Sequence, residues 1–206
     1  MKKAWYKHPS KNTIPLRFML FPKLLLASKS PRRLEIFKLA GFDFDTIQIE
    51  ADESYPNNLK GSEVCRFLSK HKSDHYKEEI GDYVLVTADT IVCIDDRVLN
   101  KPKDAKEAET MLHMLSNRTH LVHTGCTLRT DDKLHTFHES TEVTFKELSS
   151  IEIKEYIQNC QPFDKAGSYG IQDWMGVIGV KKINGCFYNV MGFPSAKFYR
   201  ELSLFI

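Results

Sequence analysis

The chain has 206 residues, 42% hydrophobic and 27% charged, which is enough apolar material for one sizeable core and too much for general disorder. Its 29 basic and 27 acidic residues leave a net charge of only +2, which argues against a protein that coats nucleic acid and for a local site taking a small anion. Five cysteines, at 65, 93, 126, 160 and 186, form neither a disulfide ladder nor a zinc pair, and no apolar run reaches the roughly 20 residues of a membrane span, so a reducing cytoplasm is the expected setting.

The first 20 residues are basic at the front, but Lys7, His8, Lys11 and Arg17 interrupt any signal-peptide core, so they are expected to form a flexible extension ahead of one domain over 21–206. Leu24, Leu25 and Leu26 lack polar alternation, as in a strand buried on both faces. Ser30 and Pro31 then supply an N-cap and a favoured first residue for a helix over 31–40 with Leu34, Phe37 and Leu39 inward. A strand over 42–49 and a helix over 62–76 precede a β-branched central strand over 83–94, which turns at Asp95-Asp96-Arg97. Asp104 with Glu107, and Ser149 with Glu152, are capping patterns for two further helices. Between those helices, Thr119–Arg129 and Leu134–Phe145 flank a hairpin turn. A second hairpin is expected at Asn184-Gly185, joining strands over 177–183 and 186–190, before a last helix over 195–204.

Three segments carry chemistry. In LLLASKSPRR (24–33) a strand feeds a helix N-terminus, where unpaired N–H groups, Ser28, Ser30 and the forked donors of Arg32 and Arg33 suit phosphate; the bland alternative is a capped helix whose arginines pair with acids such as Glu35. Asp89 stands inside VLVTADTIVCI, where a buried carboxylate without a partner is costly, so it should face a metal, a cation or a water-filled cleft. In PFDKAGSYGIQ (162–172), Asp164, Lys165 and Gln172 accompany two glycines that permit close backbone approach, as in a binding loop. Lys101-Pro102 follows the central strand's turn and can bring a lysine beside Asp89. His71 and His75 have helical zinc spacing but sit in a charged segment without a third ligand, and read as a solvated face. His120 and His123 fall on opposite faces of a strand, and no GxSxG elbow, Walker loop or dinucleotide fingerprint occurs.

Together LASKSPRR (26–33), ADES (51–54), TADT (87–90), the run 100–125, STEVTFKELS (140–149), PFDKAGSYGIQ (162–172) and NVMGFP (189–194) resemble the Maf family of nucleoside triphosphate pyrophosphatases over about 21–204. The resemblance implies an α/β fold like that of inosine triphosphate pyrophosphatases, a mixed twisted sheet with flanking helices around a central cleft. It also implies cleavage between the α- and β-phosphates with a divalent cation, Mg²⁺ or Mn²⁺. Residue by residue, Asp89 matches the catalytic aspartate, Arg32 the first arginine of the SPRR loop, and Lys72, Lys101 and Lys165 the phosphate-facing lysines. Asp52 and Glu53 match an acidic pair that would hold the metal with Asp89, leaving open which of the two faces it. Arg32, Thr90 and Gln172 together resemble the subgroup acting on dTTP and UTP. This chain departs from the subgroup in carrying Asp173, Trp174 and Met175 where a glycine usually follows GIQ, so the pocket rim is expected to differ.

The chemistry agrees with the resemblance. In-line attack at phosphorus needs cations on the phosphate oxygens, a positioned water and a stabilised leaving group, which the arginines, the lysines and a divalent ion supply, with Asp89 as base. Thr90 and Gln172 can donate and accept, and so suit a pyrimidine edge. The expected partner is a nucleoside triphosphate, with no nucleic acid and no membrane, and with homodimerisation left open. Two alternatives stand beside this reading: a sister pyrophosphatase for CTP, 7-methyl-GTP or modified nucleotides, and a non-catalytic nucleotide-sensing regulator of cell division.

Overall fold

A computed structural model describes residues 21–206; the expected extension at 1–20 lies outside the described residues. The strands are β1 (Leu24–Ala27), β2 (Phe44–Ile47), β3 (Val84–Ile94), β4 (Arg97–Leu99), β5 (Thr119–Arg129), β6 (Leu134–Phe145) and β7 (Val180–Asn184). The helices are α1 (Pro31–Leu39), α2 (Ser62–Asp74), α3 (Ala105–Leu115), α4 (Ser150–Cys160), α5 (Trp174–Gly179), α6 (Phe187–Met191) and α7 (Ser195–Phe205). They build one mixed sheet in the order β2-β1-β3-β5-β6-β7, with the β2–β1 and β1–β3 pairs parallel, the pairs from β3 to β7 antiparallel, and β4 paired antiparallel to β3 on the same edge as β1. Among the described residues no helix is long and apolar enough to cross a membrane.

The alternation of β3 assigns its two faces. Val84, Val86 and Ala88 pack with Ile36, Phe37, Phe193 and Phe198 from the α1 and α7 side, while Ile91 and Cys93 pack with Val64, Cys65 and Leu68 of α2. Rings of Phe37, Phe193 and Phe198 lie 4.7–5.6 Å apart, which fixes α1 against the sheet. Helix α2 can lie close because Gly125 has no side chain; a Cβ there would stand 2.2 Å from the Cys65 carbonyl oxygen. β1 pairs with β3 only at 84–86 and β4 only at 92–94, so on that edge no strand pairs with 87–91 among the described residues. The gap contains Asp89 and Thr90, and the cleft opens there.

Most expected elements form as read, and both caps are in place: Asp104 accepts from Glu107 N, and Ser149 and Glu152 form a reciprocal capping box. Three details differ. Ser30 occupies the N-cap position without a side-chain cap bond; instead its N–H donates to Ser28 Oγ at 3.2 Å. Leu39 is exposed and Ile36 takes the inward position beside Phe37. The second hairpin is absent: 174–179 is helical, β7 pairs with β6, and Gly185 leads into α6 rather than a returning strand. Two contacts impose that turn. Thr141 Oγ1 accepts from Cys186 N at 3.0 Å, and the buried Asn189 amide donates to Val122 O and Thr141 Oγ1, both at 3.0 Å, which docks α6 under the sheet.

Candidate active site

The cleft, about 1040 Å³, is walled by the β1–α1 junction, the 47–53 segment, the end of α2, the exposed edge of β3 and the 164–172 loop. Every residue singled out from the sequence lines it: Ser28, Ser30, Arg32, Arg33, Asp52, Glu53, Lys72, Asp89, Thr90, Lys101, Lys165 and Gln172.

Asp89 is half-buried within β3. Burial pushes its carboxyl up to about 6, with Glu53 adding to the rise, while Arg33, Lys101 and Lys72 pull the other way. Burial and the neighbouring Arg33 lower the Lys72 ammonium from its ordinary value. A carboxylate is thus set among three cations in a partly desolvated hollow, where electrostatic interactions are stronger than in water.

The two arginines of α1 have different tasks. Arg33 reaches inward, its Nε donating to the Gly192 carbonyl at 2.9 Å and an Nη to Thr90 Oγ1 at 3.1 Å. Arg32 turns to the rim and pairs with Asp164 at 2.9 Å, and the same carboxylate takes Lys165 at 2.7 Å. It is therefore Arg33, not Arg32, that joins Thr90. The Thr90 hydroxyl also lies 3.0 Å from Thr124 Oγ1 and 3.3 Å from Gly192 O, so its hydrogen-bonding capacity is spent bracing Arg33 rather than left for a base edge. Gly192 and Thr124 escaped the sequence reading; their signals were the run 100–125, which holds Thr124, and the NVMGFP segment, in which Gly192 ends α6 with φ 120°.

The expected acidic trio is not brought together. Asp52 accepts from Ser54 at 2.8 Å and lies 3.1 Å from His71 Nε2, whereas Glu53 takes Lys101 at 2.6 Å and faces the Asp89 side. Among the described residues no group of three His, Cys, Asp or Glu side chains is gathered as a metal site. Asp89 with Glu53 still provides two hard oxygen donors of like charge in a cleft, the donor chemistry a divalent cation of the Mg²⁺ type takes. Asp52, turned to α2, does not fit that set. His71 keeps a partly exposed position, stacked on Phe67 and meeting Asp52, and His75 is exposed.

The 162–172 loop is anchored from beneath. Tyr169, buried, has its hydroxyl 2.7 Å from Nε2 of His120 on β5, and burial holds the His120 imidazole down to about 4, so it is neutral. His123 lies on the opposite face of the same strand, 2.7 Å from Ser140 Oγ, as the alternation requires.

Fold and site together define an α/β protein with a cation-lined cleft, able to hold a multiply charged anion over a strand carboxylate. Residues 23–205 match the family described as Maf-like protein, and the chain belongs to the Maf family. It is 47% identical over 179 residues to a dTTP/UTP pyrophosphatase of Cytophaga hutchinsonii, covering 87% of this chain and 82% of the relative. Relatives with the same name from Bacteroides thetaiotaomicron (44% over 183 residues, 87% and 94% covered) and Bacillus pumilus (45% over 183 residues, 89% and 96% covered) are similar. Among solved structures, the Ham1 protein of Staphylococcus aureus aligns with 60% of this chain and 71% of its own, at a TM-score of 0.42 and 12% identity.

Proposed function

We propose that this protein hydrolyses nucleoside triphosphates, dTTP and UTP foremost, to the monophosphate and pyrophosphate. The observation that carries the reading is Asp89, a strand carboxylate in a gap of the sheet with Arg33, Lys72 and Lys101 around it. The names of the relatives support the same substrates.

In the proposed reaction the triphosphate lies along the cationic wall. Arg33, held rigid by Gly192 and Thr90, and Lys72 face its oxygens, with Lys101 and Lys165 released from Glu53 and Asp164 in exchange for phosphate. Asp89 orients a water for in-line attack at the α-phosphorus and takes its proton. A new P–O bond forms as the bond from the α-phosphorus to the α,β-bridging oxygen breaks, and pyrophosphate leaves with that oxygen and both electrons. Asp89 and Glu53 are the residues that would hold a divalent cation, Mg²⁺ or Mn²⁺, which supplies charge neutralisation on the phosphates and a more acidic water when bound. A panel of nucleoside triphosphates assayed for pyrophosphate release tests the reading. Pyrophosphate from dTTP and UTP is expected; orthophosphate as the first product, or no turnover of either nucleotide, would overturn it.

A further inference from the structure

Gln172 is held by its own neighbour. Its Nε2 donates to Asp173 Oδ1 at 3.0 Å, and the other oxygen of that carboxylate accepts from the Tyr156 hydroxyl at 3.3 Å and lies 3.5 Å from Lys165 Nζ. Tyr156 is buried, and its hydroxyl in turn accepts from Gly170 N at 3.2 Å, so the carboxylate is fixed from several sides. Gly170 leaves the room for this pair: a Cβ there would stand 2.4 Å from Asp173 Oδ2 and 2.9 Å from Gln172 Nε2.

An ionised carboxylate only accepts hydrogen bonds, so it dictates which end of the amide turns toward it. With one Nε2 proton committed to Asp173, the amide is oriented so that Oε1 is the end with no hydrogen bond among the described residues, on a side chain that lines the cleft. We propose that Asp173 is a positioning residue that sets Gln172 as a hydrogen-bond acceptor in the cleft, and so selects a base whose ring edge offers an imide N–H. Uracil and thymine present that N–H at ring position 3. Cytosine presents a bare nitrogen lone pair there, and two acceptors facing each other leave both unsatisfied. The inference rests on the reading of the site as a dTTP and UTP pyrophosphatase and adds the reason CTP is excluded.

The test measures pyrophosphate release by the full chain from UTP, CTP and 3-methyl-UTP, whose N3–H is blocked. The wild-type protein should favour UTP over each of the other two by about tenfold or more. Asp173→Asn keeps the shape but gives Gln172 a neighbour that can donate as well as accept, so the UTP-to-CTP ratio of kcat/KM should fall about tenfold. A purely structural role for Asp173 would lower all rates together and leave the ratio alone. A folded Asp173→Asn protein with the ratio unchanged within about twofold, or a wild-type protein that uses 3-methyl-UTP as well as UTP, overturns the inference while leaving pyrophosphatase activity standing. The 3-methyl-UTP arm needs no variant and so decides even where the substitution unfolds the chain. Absence of pyrophosphate release from UTP and dTTP brings down the underlying reading, and this inference with it.

Discussion

Arg33 donates to the Thr90 hydroxyl across 3.1 Å, tying the second residue beyond the Pro31 start of α1 to the strand position next to Asp89. Its neighbour Arg32 instead meets Asp164 at the rim. The two arginines are therefore expected to separate sharply on substitution. Arg33→Lys cannot satisfy Gly192 and Thr90 with the same fork and should lower kcat/KM for UTP about a hundredfold, equivalent to about two charge-assisted hydrogen bonds. Arg32→Ala removes a partly solvated donor and should cost about tenfold. Steady-state kinetics on both variants checks the order, and a larger effect at Arg32 would reverse the assignment.

Asp89→Asn retains size and hydrogen bonding but removes the base. Turnover should drop about a thousandfold, within the range a positioned general base contributes, while UTP binding stays measurable by calorimetry because the cationic wall is intact. Wild-type-like turnover in the folded variant would move the base elsewhere.

His120 gives the fold a pH dependence separate from catalysis. Its folded-state value of about 4 lies below the 6.5 of an unburied imidazole, so between those values the unfolded chain binds a proton that the native chain does not. Stability contributed by neutral His120 is full above about pH 6.5 and falls as the pH drops toward 4, by on the order of 3 kcal/mol in total. Denaturant midpoints measured across that window should fall with pH, and His120→Gln, which can still meet the Tyr169 hydroxyl, should flatten the slope.

Local signals were legible where local chemistry decides the structure. The β5–β6 hairpin and the Asp104 and Ser149 caps depend on residues within a few positions of one another, and each forms where the sequence places it. Asn184-Gly185 carries an equally strong local turn signal, yet the chain continues into α6, where Cys186 N donates to the Thr141 hydroxyl and the Asn189 amide to Val122 O, both over 40 residues upstream. The cleft residues were legible as a set, since each stands in a motif that a strand end or loop must present. Their pairing was not. Which arginine meets Thr90, and the turning of Asp52 to His71 rather than to Asp89, follow from how α1 and α2 dock on the sheet.

Gly125 shows how tightly one of those helices is docked. An added methyl at this position would overlap the Cys65 carbonyl group and the Arg66 nitrogen, which are backbone atoms that cannot rotate aside. Gly125→Ala should destabilise the protein by about 3 kcal/mol, at the upper end of ordinary overpacking, and also depress activity, because α2 carries Lys72 into the cleft. Thermal unfolding checks the first effect and kcat/KM the second; a neutral substitution would mean that α2 moves freely on the sheet.

Of the two residues matched to base reading, Gln172 is the one with an atom left free, since the Thr90 hydroxyl is engaged by Arg33, Thr124 and Gly192. Phosphate contacts are common to all nucleotides and cannot by themselves distinguish dTTP and UTP from ATP and GTP. If Gln172 supplies the distinction, Gln172→Ala should narrow the gap between pyrimidine and purine triphosphates more than it lowers overall affinity. The narrowing should be tenfold to a hundredfold, from a mismatched polar group of about 1–3 kcal/mol. The four nucleotides, assayed at equal concentration with wild type and Gln172→Ala, separate the outcomes. A wild-type profile already flat or led by purines would place base selection outside Gln172, and Gln48 and Asn100, which also line the cleft, would be the next residues to substitute.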